Sequence, residues 1–172
     1  LRRKSCHLPP WLILCVRQKR MKHRISAGAL VVHDEKILMV RHHKEGRYDF
    51  WVAPGGGVGI GEDALSASAR EALEEAGMKV RPLKLAIVEE LENPEEKGCK
   101  LWFYCELIGG TLATEAESAI REFIVDAQFL SREELKDKII FPPVLTEERF
   151  WKSVRSGFPE TMYLGLRQME FY

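Results

Sequence analysis

Residues 56–78 read GGVGIGEDALSASAREALEEAGM, and this stretch sets two signals back to back. Glycines at 55, 56, 57, 59 and 61 permit close backbone approaches that a Cβ would block, so the segment before Glu62 reads as a tight loop. From Asp63 to Ala76 the residues are mostly Ala, Leu, Glu, Ser and Arg without Gly or Pro, which predicts a helix capped by Asp63 and ended by Gly77. At about 100° per residue, Glu71, Glu74 and Glu75 fall on one face of that helix. Like charges at this spacing repel by roughly 0.2–0.5 kcal/mol per pair, so a purely structural helix gains nothing from the arrangement. A divalent cation offsets the repulsion. Carboxylates gathered on one face suit Mg²⁺ or Mn²⁺, which take a few carboxylates and complete their shell with waters and substrate phosphates. An arbitrary EALEE string is more often a solvated face; the glycine loop and Arg70 favour the metal reading here.

Two other phosphate-binding motifs fail. Gly56 and Gly61 have the glycine spacing of a Walker loop, but Glu62 stands where its lysine must be. No start among these glycines satisfies G-x-G-x-x-G, and the helix that follows is acidic where a dinucleotide site needs an unobstructed N-terminus.

Gly56, Glu62, Arg70-Glu71, Glu74-Glu75 and Gly77-Met78 reproduce the spacing of the Nudix box, and over this segment the chain resembles the MutT-type pyrophosphohydrolases. Ala72 departs mildly from the larger aliphatic usual at its position, which bears on local packing only. The resemblance implies an α/β/α sandwich, a mixed sheet with the Nudix helix on one side and C-terminal helices on the other. It also implies Mg²⁺-dependent hydrolysis (Mn²⁺ as substitute) of a pyrophosphate bond in a nucleoside diphosphate linked to another moiety, with a small-molecule nucleotide as substrate. By the same resemblance Glu71, Glu74 and Glu75 are metal ligands, the Gly55 carbonyl joins the shell, and Glu71 is the leading general base. Arg70 and Glu62 are expected to orient those carboxylates as a bidentate pair. A further downstream glutamate is expected in the site, with Glu122 the first choice and Glu117 the second. The alternative is a non-catalytic Nudix-fold module that binds nucleotide or a partner; such proteins typically lose box carboxylates, whereas this chain keeps Glu62, Glu71, Glu74 and Glu75.

At 172 residues the chain suits one domain with one core. Its 26 basic and 26 acidic residues balance. Residues 1–20 hold six Lys or Arg and no acid, leaving 20 basic against 26 acidic residues from Met21 onward. An acidic body argues against nucleic-acid binding but not against a small anion brought in with its metal. Cys6, Cys15, Cys99 and Cys105 form no C-x-x-C pair and read as free thiols of a reducing, cytoplasmic compartment. The apolar run Leu8 to Val16 is too short to span a membrane and is followed by basic residues where a signal cleavage site should be. Residues 1–20 therefore read as an extension outside the fold, with a transit peptide as second choice, and residues 21–156 as the catalytic domain.

Within that domain, Ile25–His33 and Lys36–His42 predict a hairpin turning at Asp34-Glu35, followed by a short strand Tyr48–Val52. Arg41, His42 and His43 are expected either as a solvated loop or as cations near substrate phosphates. Further strands are predicted at Leu83–Leu91, Lys100–Ile108 and Phe123–Leu130, with Trp102, Phe103 and Tyr104 mainly core and one of them a candidate to flank a base. Thr111–Arg121 reads as a loop or short helix. Ser131 to Glu134 forms an S-x-x-E capping box that opens a helix to about Lys138, and Val144–Arg155 predicts another. Residues 157–172 are apolar without a clear period, which suggests docking on the domain or on a second subunit as a homodimer.

Overall fold

The structure, a computed structural model, describes residues 21–114 and 117–169, and for residue 118 the backbone alone. The expectations for residues 1–20, including Cys6, Cys15 and the apolar run, lie outside the described residues, as do Glu115 and the last three residues.

Among the described residues nine strands form one mixed sheet. They are β1 (Lys22–His33), β2 (Lys36–Lys44), β3 (Tyr48–Val52), β4 (Gly55–Gly57), β5 (Met78–Glu92), β6 (Glu96–Gly110), β7 (Ile124–Ser131), β8 (Ile140–Phe141) and β9 (Met162–Gln168). The order is β8-β3-β2-β1-β6-β5-β9, with β4 also on β1 and β7 also on β2. The β1–β2 turn forms at Asp34 and Glu35, both at positive φ (49° and 57°), the pair of left-handed residues that matches the twist of a two-residue hairpin. Beyond the turn β1 divides its partners: Val32 and His33 pair with β2, residues 26–28 pair with β4, and residues 22–31 run parallel to β6.

Alternation along β1 and β2 sends side chains to two cores. Leu30, Ile37 and Met39 pack with Trp102, Leu135, Leu145, Phe150, Trp151 and Phe158, beneath the C-terminal helices α3 (Arg132–Leu135) and α4 (Glu148–Arg155). Ala27, Ala29, Val31, Leu38 and Val40 face α1 (Ala64–Ala76) together with Phe103 and Cys105. Helices thus cover both sides of the sheet, as an α/β/α sandwich requires. The Asp63 carboxylate accepts from Ser66 N–H at 2.8 Å, and Gly77, in the left-handed conformation, donates to Leu73 O at 3.0 Å, so both expected caps form. Apart from Ser68, Glu71 and Glu75, the buried face of α1 is alanine, including Ala72. Small side chains there let the helix sit close to the sheet.

Four elements differ from the sequence expectation. β5 starts at Met78 rather than Leu83 and passes through Pro82, where the pairing register shifts; a proline without N–H is tolerated at such an irregularity. The helix opened by the Ser131–Glu134 capping box ends at Leu135, before the chain turns to place β8 beside β3. Residues Pro143–Thr146 form a 3-10 turn, and α4 starts only at Glu148. Residues 162–168 form β9, parallel to β5, and Gly165 (φ 76°) interrupts the alternation that would have marked a strand. Among the described residues no helix is long and apolar enough to cross a membrane; Cys99 and Cys105 are free thiols.

Phe158 is 1% exposed and packs on Phe150 and Tyr104, with centroids 5.7 and 5.1 Å away. Phe158→Ala should therefore lower unfolding free energy by about 3–5 kcal/mol, as for other core phenylalanines. Denaturant unfolding monitored by tryptophan fluorescence would read this; a loss under about 1 kcal/mol would mean the segment after α4 is dispensable to the core.

Candidate active site

The glycine segment β4 lies between β1 and α1, and Gly56 shows why no side chain is tolerated. A Cβ there would sit 2.5 Å from Glu71 Oε1. The missing side chain is the space in which the Glu71 carboxylate meets the loop.

Arg70 ties the loop to the helix. Its Nε donates to Glu62 Oε1 at 2.8 Å and Nη2 to Glu62 Oε2 at 3.0 Å, the bidentate pair expected from sequence. Nη1 donates to Glu71 Oε1 (2.8 Å) and Glu74 Oε2 (3.0 Å), and Nη2 also to Gly57 O (3.1 Å). All five guanidinium donors are thereby used. Glu62 also accepts from Gly59 N–H at 2.9 Å, and Arg70 with this amide pulls its carboxyl down to about 2. The Arg70 guanidinium is held still more firmly protonated than usual, chiefly by Glu62.

Glu71 and Glu75 are 5% and 2% exposed. Burial raises the Glu71 carboxyl above the ordinary glutamate range against the opposing pull of Arg70. Burial, and next the charge of Glu71, raise Glu75 well above it. Glu75 Oε2 accepts from Gly55 N–H at 2.8 Å, and the Gly55 carbonyl accepts from Lys100 Nζ at 3.1 Å. Burial lowers the Lys100 ammonium pKa, which the surrounding glutamates oppose. Among the described residues no three acidic, His or Cys side chains converge on one ion-sized point. Oxygens expected to hold an ion are instead bonded to Arg70, to Gly55 N–H and to Lys100. The donor set, carboxylates beside a backbone carbonyl, nonetheless fits a hard divalent ion, and the Gly56 cradle leaves the Glu71 carboxylate open to the loop. Binding an ion favours the ionised carboxylates and so would oppose the rise that burial imposes on Glu71 and Glu75.

A cavity of about 270 Å³ opens beside Gly55 and Gly56 and is walled by Arg24, His42, Tyr48, Phe50, Val52, Glu122 and Phe123. Glu122, exposed at the start of the turn into β7, is close enough for its charge to raise both Glu71 and Glu75. Glu117, on the short helix α2 (Glu117–Arg121), is not among the wall residues. The basic loop divides by strand alternation. Arg41 pairs with Asp49 at 2.8 and 2.5 Å and His43 lies 3.4 Å from Asp49. Only His42 lines the cavity, and not as a cation: burial lowers its pKa to about 4, Nδ1 donates to Glu122 O at 3.0 Å, and its ring stacks on Phe50 at 5.1 Å. Trp102 and Phe103 are core, with Trp102 Nε1 donating to Glu89 Oε1 at 2.9 Å, so neither flanks the cavity. Tyr48, Phe50, Phe123, Arg24 and Lys100 were missed as site residues in the sequence; for the first two, the one-face alternation Tyr48-Phe50-Val52 was a usable signal.

The family model of the NUDIX domain matches residues 22–147. The chain belongs to the Nudix family. It is similar to the zebrafish (Danio rerio) 8-oxo-dGDP phosphatase NUDT18, 36% identical over 92 residues, covering 53% of this chain and 27% of that protein. It is also similar to Nudix hydrolase 2 of Arabidopsis thaliana, 30% identical over 100 residues, covering 56% of this chain and 36% of the relative. The matched region thus spans about a quarter to a third of those curated relatives' length. Among solved structures, a Nudix hydrolase from Nitrosomonas europaea superposes with a TM-score of 0.68 at 18% identity, covering 87% of this chain and 81% of its own. At that identity the likeness speaks for the fold.

His42 provides a pH test. Its folded pKa of about 4 lies below the ordinary 6.5, so the stability it contributes is complete above about pH 6.5 and lost as pH falls toward 4. His42→Phe should remove up to about 3 kcal/mol of the acid-side loss relative to the parent protein. Denaturation midpoints of both proteins between pH 7 and pH 4 would show this; parallel curves would contradict a buried, neutral His42.

Proposed function

We propose that this Nudix chain hydrolyses the pyrophosphate bond of a nucleoside diphosphate linked to another moiety, with Mg²⁺ as required ion and Mn²⁺ as substitute. One observation carries the reading: two buried glutamates on α1 meet a glycine loop at the mouth of a cavity that also offers aromatic faces. A structural helix has no use for burying two like charges there. Glu71, Glu74 and Glu75, beside the Gly55 loop, are the residues that would hold the ion. When bound, the ion would neutralise phosphate oxygens and make water more acidic.

The chain's own groups take the remaining tasks. Arg70 fixes Glu62, Glu71 and Glu74 relative to the Gly57 carbonyl, so the carboxylates are oriented before substrate arrives. Glu71 is the general base: its carboxyl is raised from the ordinary value, toward the working pH where a base is most effective. Glu122, which lines the same cavity, is the second carboxylate able to receive a proton. Tyr48 and Phe123 on the cavity wall are the rings a nucleobase could stack on, each stacked base being worth about 1–3 kcal/mol. The similarity to an 8-oxo-dGDP phosphatase favours a nucleoside diphosphate group in the substrate.

Purified protein incubated with Mg²⁺ and a panel of nucleoside di- and triphosphates, ADP-ribose, NADH, dinucleoside polyphosphates and nucleotide sugars should turn over at least one compound and lose that activity in EDTA. No turnover across the panel would contradict the proposal and favour a binding module. In the active case, Glu71→Gln and Glu75→Gln should each lower kcat by at least about 10²-fold with circular dichroism unchanged; near-normal rates would remove them from the machinery.

A further inference from the structure

The Gly55 carbonyl, which the Nudix resemblance assigns to the metal shell, already has a cation on it. Lys100 stands on β6 opposite Ser26 of β1 and Glu89 of β5, and its Nζ donates to Gly55 O at 3.1 Å. The ammonium also lies 4.2 Å above the Trp102 ring. Trp102 is itself fixed by Nε1 donating to Glu89 Oε1 at 2.9 Å, and the other Glu89 oxygen lies 3.4 Å from Arg167 of β9. The lysine is therefore held from two sides on a strand of the core sheet. The acidic groups whose fields reach it are Glu75, Glu89 and Glu71, and the cation nearest in effect is Arg24. Glu75 grips Gly55 by its N–H while Lys100 grips it by its carbonyl. A divalent ion on that carbonyl and an ammonium on the same oxygen would repel each other at short range.

We propose that Lys100 is a built-in cation of the inner half of the site, reserving the Gly55 carbonyl and limiting the number or affinity of divalent ions held by Glu71, Glu74 and Glu75. This rests on the metal-dependent reading above. It makes Lys100 a positioning residue that anchors the glycine loop from β6 and brings its ammonium to the oxygen where an ion would otherwise be held.

The test is an Mn²⁺ titration followed by electron paramagnetic resonance, which counts bound ions without turnover. It uses the full chain, Lys100→Gln (which keeps a donor for Gly55 O and drops the charge), Lys100→Met and Lys100→Arg, with thermal melts to identify folded variants. Lys100→Gln should bind one more Mn²⁺ per chain than the parent, or the same number at least about tenfold more tightly, and Lys100→Arg should match the parent. Lys100→Met should follow the glutamine variant; if it does not fold, the glutamine and arginine variants decide. Equal ion number with dissociation constants within about twofold for parent and Lys100→Gln would overturn the proposal while leaving a metal-dependent hydrolase intact. Absence of Mn²⁺ binding in every folded protein would overturn both.

Discussion

Burial of two carboxylates, Glu71 and Glu75, between α1 and the sheet is the constraint to which the surrounding structure answers. An isolated ionised carboxylate in such a place is strongly disfavoured unless it is paired and hydrogen-bonded. Arg70 supplies one partner from the same helix and binds it to Glu62 and the loop. Gly55 N–H supplies another, and Lys100 on β6 adds positive charge from the opposite direction. What remains is a raised pKa on both glutamates, the signature of groups whose charge is still under-compensated. In the proposed reading a divalent ion would complete that balance, at the cost of some local stability in its absence.

The fold delivers these groups from distant parts of the chain. β1 is the hinge of the design because it pairs with β4 and β2 on one edge and β6 on the other. This sets β4, whose three glycines carry no side chains, beside Lys100 and beneath α1. The alanine face of α1 brings the helix near enough for Glu71 to enter the space above Gly56. On the other side of the sheet, Phe150, Trp151 and Phe158 form the larger core that holds β6 and its Trp102–Glu89 pair in place.

Much of this was legible in the residues because its causes are local. The caps at Asp63 and Gly77, the Ser131–Glu134 capping box and the Asp34-Glu35 turn each depend on a few consecutive side chains. Glu71, Glu74 and Glu75 were legible as one helix face from their spacing, and Glu62, just ahead of the helix, as the bidentate partner of Arg70. What escaped reading depends on non-local pairing. β9 joins β5 across a long intervening segment, and Gly165 erases its alternation. Lys100 reads as an ordinary strand residue until β1 and β4 place Gly55 above it. Arg41 and His43 turned out to belong with Asp49, because alternation on β2 gives only His42 to the cavity, and burial there removes its charge.

The central claim is that the α1 glutamates and the glycine loop constitute a divalent-ion site. Anomalous diffraction from crystals grown with Mn²⁺ tests it most directly. The account predicts manganese between the Glu71 and Glu75 carboxylates beside residues 55–57, with Arg70 retained on Glu62. Manganese bound elsewhere, or absent from that position in crystals that hold it at other carboxylates, would contradict the account.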